Sequence, residues 1–508
     1  MSDTKHRKIN VKSTYLAGLI LSAVVLFYVV STIQRQYRFR EREPQNDSSS
    51  ILPKILKFGG EKIPGEMFLG METARFEKDH ELIDEIKKII AQKETPSEIF
   101  KNNVSDGINI ATTLNHAFSA ENPEELKILR DAAPKGNEWS LDKETLEKLG
   151  EILTRFEPKR LAIRQMLQQP KTCFYFIFNQ DRETGETIDV QAADYLEDYL
   201  LLEEYAIAQS LWDGNMEDAL DSLVYVFRMA QLAAEVGIPA VRSSAALIRL
   251  RAVDVMQAIV LHPKFSKRYL AGLYEMIREQ LENWTPDRTV WVADRASGLK
   301  TYHRILQSGL EAALTPGEIK ELEERGRLVF IPRKQKKRPN DSAASTTNTK
   351  EEEIKELVLL KENFFETHVA DEIFYLKSMQ KVIDECKKPF YQRLAVLTDI
   401  NNDVLDRMNK ETEPIIAVLL LRGIVPLMRL YAQDRAGCET AFLAMSVSLE
   451  KPEPATLITN PFSAEKYKVN RIQDEKNPNR QLVQVPSPDN RQPFRVPDYS
   501  NYSKSPPH

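Results

Sequence analysis

The chain has 508 residues, 42% apolar and 29% charged, with 70 basic against 75 acidic side chains and a net charge of -5. That length allows two to four domains, and the near-balance of charge offers no general attraction for nucleic acid. Three cysteines, Cys173, Cys386 and Cys438, lie too far apart for a CxxC metal site or a disulfide framework. One pair could form, but buried free thiols fit better.

Residues 1–14 are a basic tail carrying Lys5, Arg7, Lys8 and Lys12. Tyr15 to Ile33 (YLAGLILSAVVLFYVVSTI) follows without a charge, and its 19 residues make a helix of roughly 28 Å, enough to cross a hydrocarbon core. The run exceeds the ~7–15 apolar residues of a secretory signal core and no A-x-A-like site follows it, so an uncleaved anchor is expected, with lipid as its partner. Arg35, Arg38, Arg40 and Arg42 on the far side nearly cancel the positive-inside signal. The short basic tail decides the orientation: N-terminus in the cytoplasm, bulk exported, single pass, in the inner (plasma) membrane. Residues 34–65 read as a juxtamembrane linker.

Residues 66–330 read as a helical domain. Thr95-Pro96-Ser97-Glu98, Asn122-Pro123-Glu124-Glu125 and Thr315-Pro316-Gly317-Glu318 each join a capping side chain, an early proline and a glutamate, the marks of a helix start. Thr285 before Pro286 and Ser266 after His262-Pro263 do the same, and Gly237 with Pro239 ends one helix and opens the next. Apolar residues recur at three and four between these marks: Leu82, Ile83, Ile86, Ile89 and Ile90; Leu220, Leu223, Val224, Phe227 and Ala230; Leu270, Leu273, Ile277 and Leu281. Cys173 to Phe178 (CFYFIF) reads equally as a strand or a buried turn.

The best-organised piece is Asp194 to Val236, two amphipathic helices meeting at Gly214-Asn215 with Trp212 before the turn and Ala219-Leu220 after it. It is similar to one tetratricopeptide unit, but neighbouring helix pairs do not repeat it, so a generic stack of α-hairpins is expected. The tyrosine and leucine stripe reads as core.

Residues 331–353, from RKQKKR into PNDSAASTTNT, read as a flexible polar linker rather than a nucleic-acid patch. Residues 354–450 follow as a second helical segment packing on the first. Within it, Pro414 to Leu430 tempts a second membrane span, but Arg422 costs ~2.5–3.5 kcal/mol on insertion scales and Gly423 and Pro426 interrupt the run. A buried helix capped by Thr412 and kinked near Pro426 is expected instead. In 451–485, Lys466–Ile472 and Gln481–Val485 flank Asn477-Pro478-Asn479 as a turn and small hairpin, and 486–508 reads as a disordered tail.

Chemistry-bearing motifs are scarce. The seven histidines form no HExxH and no helical pair, and Glu77-Lys78-Asp79-His80 is the sole Glu-x-x-His, where a di-iron bundle needs two. His368, Asp371 and Glu372 share a helical face and read as a hydrogen-bonded surface cluster. GxxxxGK[ST], GxGxxG and GxSxG are absent. No catalytic, cofactor-binding or metal residue is therefore assigned.

The order of anchor, helical hairpins with a GN-EDAL turn, HPKFSKRYLAGLYEMI, the helix Arg429 to Leu449 and ITNPFSAEKYKV resembles a group of uncharacterised membrane-anchored, mostly helical proteins of planctomycete-type bacteria. The likeness spans most of residues 190–472. Their C-terminal ends are in turn similar to those of pseudopilins, and Asn460-Pro461-Phe462-Ser463 with Tyr467 fits the middle of that pattern. The HG-YP turn after Leu449 and the acidic glycine-rich tail are missing, and no prepilin cleavage pattern precedes Tyr15. The resemblance therefore implies no calcium loop, and it brings no activity.

The expectation is an all-α, membrane-anchored scaffold or protein-interaction module of the cell envelope. One alternative is an enzyme whose site gathers dispersed polar residues, for which Arg249, Arg251, Asp254, Arg295 and His303 are the candidates. The other is an accessory component of a secretion or pilus-like apparatus.

Overall fold

The computed structural model describes residues 55–58, 61–64, 77–100, 108–118, 123–131, 143–174, 177–179, 187–189, 191–308, 328–332, 355–359, 364–409, 416–451, 457–489 and 491–500. The expected anchor, the polar linker from 333 onward, the Thr315-Pro316 helix start and the Thr412 cap lie outside them.

The described body is mostly helical. Its helices are α1 (Glu77–Ala91), α2 (Pro96–Ile99), α3 (Ile110–Phe118), α4 (Pro123–Asp131), α5 (Lys143–Gln168), α6 (Gln191–Asp213) and α7 (Met216–Ala234), then α8 (Pro239–Leu261), α9 (Lys267–Glu282), α10 (Asp287–Ser308), α11 (Phe364–Glu385), α12 (Phe390–Asn409), α13 (Ile416–Leu420) and α14 (Ile424–Leu449). Several start where the sequence punctuation placed them. Thr95 caps α2 with a full capping box, Pro123 and Pro239 open α4 and α8, and Asn215 caps α7 by accepting from the Asp218 N–H.

Strands are short and dispersed. β1 (Ile55–Phe58) and β2 (Glu61–Pro64) pair antiparallel, so the stretch read as a juxtamembrane linker ends in a hairpin. β3 (Ile108–Asn109) pairs in parallel with β4 (Thr172–Cys173), while β5 (Ile177–Asn179) pairs antiparallel with β6 (Thr187–Asp189). The aromatic run at 173–178 therefore serves two strands with different partners. β7 (Leu328–Pro332) and β8 (Lys355–Leu359) close the linker at its two ends.

At the C-terminus, β9 (Asn470–Gln473), β10 (Gln481–Val485) and β11 (Phe494–Pro497) form an antiparallel sheet in the order β11-β10-β9. The expected hairpin is present, and a third strand is added to it. That strand corrects the disordered-tail expectation for 486–500. Phe494 and Val496 join Val483 and Val485 in the main core, giving a proline-rich segment an apolar face to bury.

Two hydrophobic cores divide the body. The first gathers α3 to α9, the C-terminal sheet and the second half of α14; the other gathers α1, α10 to α13 and the first half of α14. The predicted stripes point inward at Leu82, Ile83, Ile86 and Ile89 and at Leu270, Leu273, Ile277 and Leu281. The α7 stripe is narrower than expected, since Val224 is exposed while Leu223 and Phe227 are buried. Tyr199 and Tyr205 lie in the core, as the tyrosine stripe predicted.

The apolar segment Ile416–Leu449 is long and apolar enough to cross a membrane by length and composition, and 67% of its most apolar window is buried in the protein. It is not one kinked helix. Gly423 adopts φ 80, a left-handed turn that side chains resist, and it separates α13 from α14. Pro426 falls in the first turn of α14, where a missing N–H costs nothing, so the expected kink there is absent.

Candidate functional site

α14 passes from one core to the other through a charged seam. Arg242 and Arg249 stand two turns apart on one face of α8, and both donate through Nη1 to Oδ2 of Asp434 on α14, at 3.0 and 2.9 Å. All three side chains are buried, at 0%, 1% and 0% exposure. Two guanidiniums against one carboxylate leave a net positive charge in the interior. Burial holds the Arg249 guanidinium below its ordinary value, against the pull of Asp434.

Trp284, in the turn between α9 and α10, offers its ring to Arg249, Arg435 and Arg242 at 4.6, 4.9 and 5.2 Å. Arg435 donates through Nε to Glu439 at 2.7 Å. The fully buried Glu439 also accepts from the Thr459 N–H and hydroxyl, the Asn460 N–H and the Tyr467 hydroxyl, at 3.1, 2.8, 3.0 and 2.8 Å. The Asn460-Pro461-Phe462 motif is thus held on α14, and Phe462 meets Phe390 of α12 edge to face.

The same device recurs across the body. Asp198 on α6 takes a two-pronged contact from Arg130 at 2.7 and 2.8 Å, and Glu203 on α6 receives Arg160 and Arg164 of α5. Glu204 pairs with Arg251 of α8, and Glu94 with Arg288 and Arg295 of α10. Asp371 on α11 accepts the Ile416 and Ala417 N–H groups at 2.9 and 2.7 Å, capping α13, and also the Tyr302 hydroxyl. His368, Asp371 and Glu372 are all buried, which corrects the expected surface cluster.

A cleft of about 1760 Å³ lies between the α8–α9 corner and the C-terminal sheet. Ile472, Leu482 and Pro497 stand opposite one another across three strands and supply an apolar row. Polar groups of both signs rim it, among them Asp254, Lys267, Glu475 and Lys476. Arg480 reaches from the hairpin to the last carbonyls of α8, donating to Val260 and Leu261 at 2.9 and 3.0 Å.

Of the five dispersed candidates, only Asp254 lines this cleft. Arg249 lies in the seam, Arg251 and Arg295 hold Glu204 and Glu94, and His303 is half-buried on α10. They do not converge. Among the described residues no group of three or more His, Cys, Asp or Glu side chains stands ready to hold a metal ion, and the cysteines are free, Cys438 alone being buried. Sequence reasoning passed over Asp434 and Glu439, although lone acids inside the apolar run LYAQDRAGCETAFLAM were a signal. No family description, curated protein or solved structure matches the chain.

Proposed function

We propose that the protein is a membrane-anchored helical scaffold of the cell envelope whose exported body docks a protein partner. Tyr15–Ile33 is the anchor in this reading, with the N-terminus cytoplasmic, and the α6–α7 hairpin is its tetratricopeptide-like unit. One observation carries the proposal: the buried acids Asp198, Glu203 and Asp434 are engaged in tying helix to helix, while the cleft is apolar along one row and rimmed by charges of both signs. Such a lining suits the recognition of a polypeptide better than a bond-making step. The dispersal of Arg249, Arg251, Asp254, Arg295 and His303 disfavours the enzyme alternative.

Crosslinking in intact cells, followed by detergent purification through a C-terminal tag and mass spectrometry, tests this reading. A partner recovered near stoichiometry from wild type and lost from Ile472→Asp, with the helical content unchanged, is the expected result. Recovery of the protein alone, or equal recovery from the variant, rejects it.

A further inference from the structure

The two outer edges of the C-terminal sheet are finished differently. The Asp474 N–H donates to the Arg480 carbonyl at 2.9 Å, and the Asp498 N–H to the Gln481 carbonyl at 2.9 Å, which fixes the phase of both ladders in their antiparallel registers. Arg495 of β11 thus turns its N–H and C=O away from β10, and the Gln257 amide bonds both, at 2.6 and 2.8 Å. Arg471 and Gln473 of β9 turn theirs outward in the same way. Among the described residues nothing takes up these backbone groups, and both residues are exposed. Open N–H and C=O groups along an edge are a template for a further strand. Ile472 and Gln473 line the cleft, so a strand added here borders it and extends the apolar row of Ile472, Leu482 and Pro497.

The charge of this edge selects the occupant. Lys466 and Lys468 lead into β9 and Arg471 lies within it, all exposed, against the single acid Glu465. Arg471 is held by Asp498 at 2.8 Å, while neither lysine has an acidic partner among the described residues. Asp474 and Glu475 lie beyond the strand, in the connection to β10, where Asp474 faces Arg480. Like charges on neighbouring strands repel and opposite charges attract. A second copy of this edge brings the same basic excess, whereas an acidic strand neutralises it. We infer that the outer edge of β9 takes an extended acidic segment of a partner polypeptide as a fourth strand. Its backbone exchanges hydrogen bonds with Arg471 and Gln473, its carboxylates meet Lys466 and Lys468, and its side chains on the cleft side lie beside Ile472. The inference rests on the docking reading and names the chemistry of the partner.

The test titrates the full detergent-solubilised chain with a labelled synthetic peptide of about eight residues, long enough for one strand, in which glutamate alternates with valine; a lysine-valine peptide is the control. Fluorescence anisotropy reads binding, and rapid-quench hydrogen exchange reads where it occurs. The expected result is saturable binding of the glutamate peptide alone, with the Arg471 and Gln473 amides gaining protection and the Ile472 amide, already in the ladder, unchanged. Gln473→Pro removes an outward N–H without touching the β10 ladder and is expected to weaken binding about tenfold. Gln473→Ala keeps that N–H and is expected to bind as wild type does. No saturable binding to wild type, binding without protection at Arg471 and Gln473, or equal binding by a folded Gln473→Pro each overturns the inference. Protection of these two amides that grows with protein concentration in the absence of peptide assigns the edge to a second copy and overturns it too. The docking reading fails separately: a cellular partner lost from Ile472→Asp but kept by Gln473→Pro still occupies the cleft, and only the strand addition is then rejected.

Discussion

Glu372 shows how one buried side chain makes the stability of the molecule depend on pH. Burial, with a smaller contribution from the neighbouring Asp371 charge, raises its carboxyl from 4.5 to about 8. Between those values the folded protein holds a proton that the unfolded chain has released. Stability from this group is therefore full below about 4.5, falls by up to ~1.4 kcal/mol per pH unit on the way to 8, and is level above it. Glu204, raised to about 7 mainly by its own burial, titrates in the same window, so the difference between two proteins is the informative quantity. Urea unfolding at pH 5, 6, 7 and 8 is expected to show a shallower decline for Glu372→Gln than for wild type. Parallel curves would mean that Glu372 is ionised throughout.

The C-terminal strand β11 depends on one glutamine. Its inner edge pairs with β10, and at its outer edge the Gln257 amide takes the place of a neighbouring strand. That amide accepts from the Arg495 N–H at 2.6 Å and donates to the Arg495 carbonyl at 2.8 Å. Gln257→Leu keeps most of the volume but strips both bonds from a part-buried edge, at about 1–3 kcal/mol. Hydrogen exchange is expected to show the Arg495 amide losing protection while α6 and α7 keep theirs; unchanged exchange at Arg495 refutes the tether. This contact explains what was hidden in the sequence. Helix starts at Pro96, Pro123 and Pro239 were legible because a helix start is decided within a few residues. β11 was not, since a stretch rich in proline, serine and asparagine became a strand through a side chain 238 positions away. The 173–178 run was ambiguous because its two ends have different partners: Cys173 pairs with the remote Asn109, whereas Ile177 and Phe178 pair with the nearby Thr187–Asp189 strand. Nor could Pro426 be distinguished from a kink until Gly423 was seen to end the preceding turn.

The two cores share α14, and Asp434 lies where that helix leaves one for the other. Tyr431 and Ala432 just before it belong to the core of α10 to α13, and Cys438 and Ala441 just after it to the core of α6 to α9. Neither core closes without its half of α14, so the body is expected to unfold as one unit rather than as two domains. Sequence alone, with its polar tract at 331–353, suggested two segments and could not reveal that a single helix joins their interiors. The seam separates two effects of its charges. Asp434→Ala leaves two guanidiniums buried with no counter-charge and is expected to cost about 3–5 kcal/mol. Replacing all three charges by apolar residues of similar size, Arg242→Met, Asp434→Leu and Arg249→Met together, removes the desolvation cost along with the pairing and is expected to restore most of that loss. Denaturant unfolding followed at once by hydrogen exchange in α6 and in α11 reads both points. A common midpoint for the two helices, lowered in Asp434→Ala and recovered in the triple variant, is the expected pattern. Separate midpoints would show that α14 does not couple the cores, and a triple variant as weak as Asp434→Ala would show that the seam contributes through its shape rather than its charge.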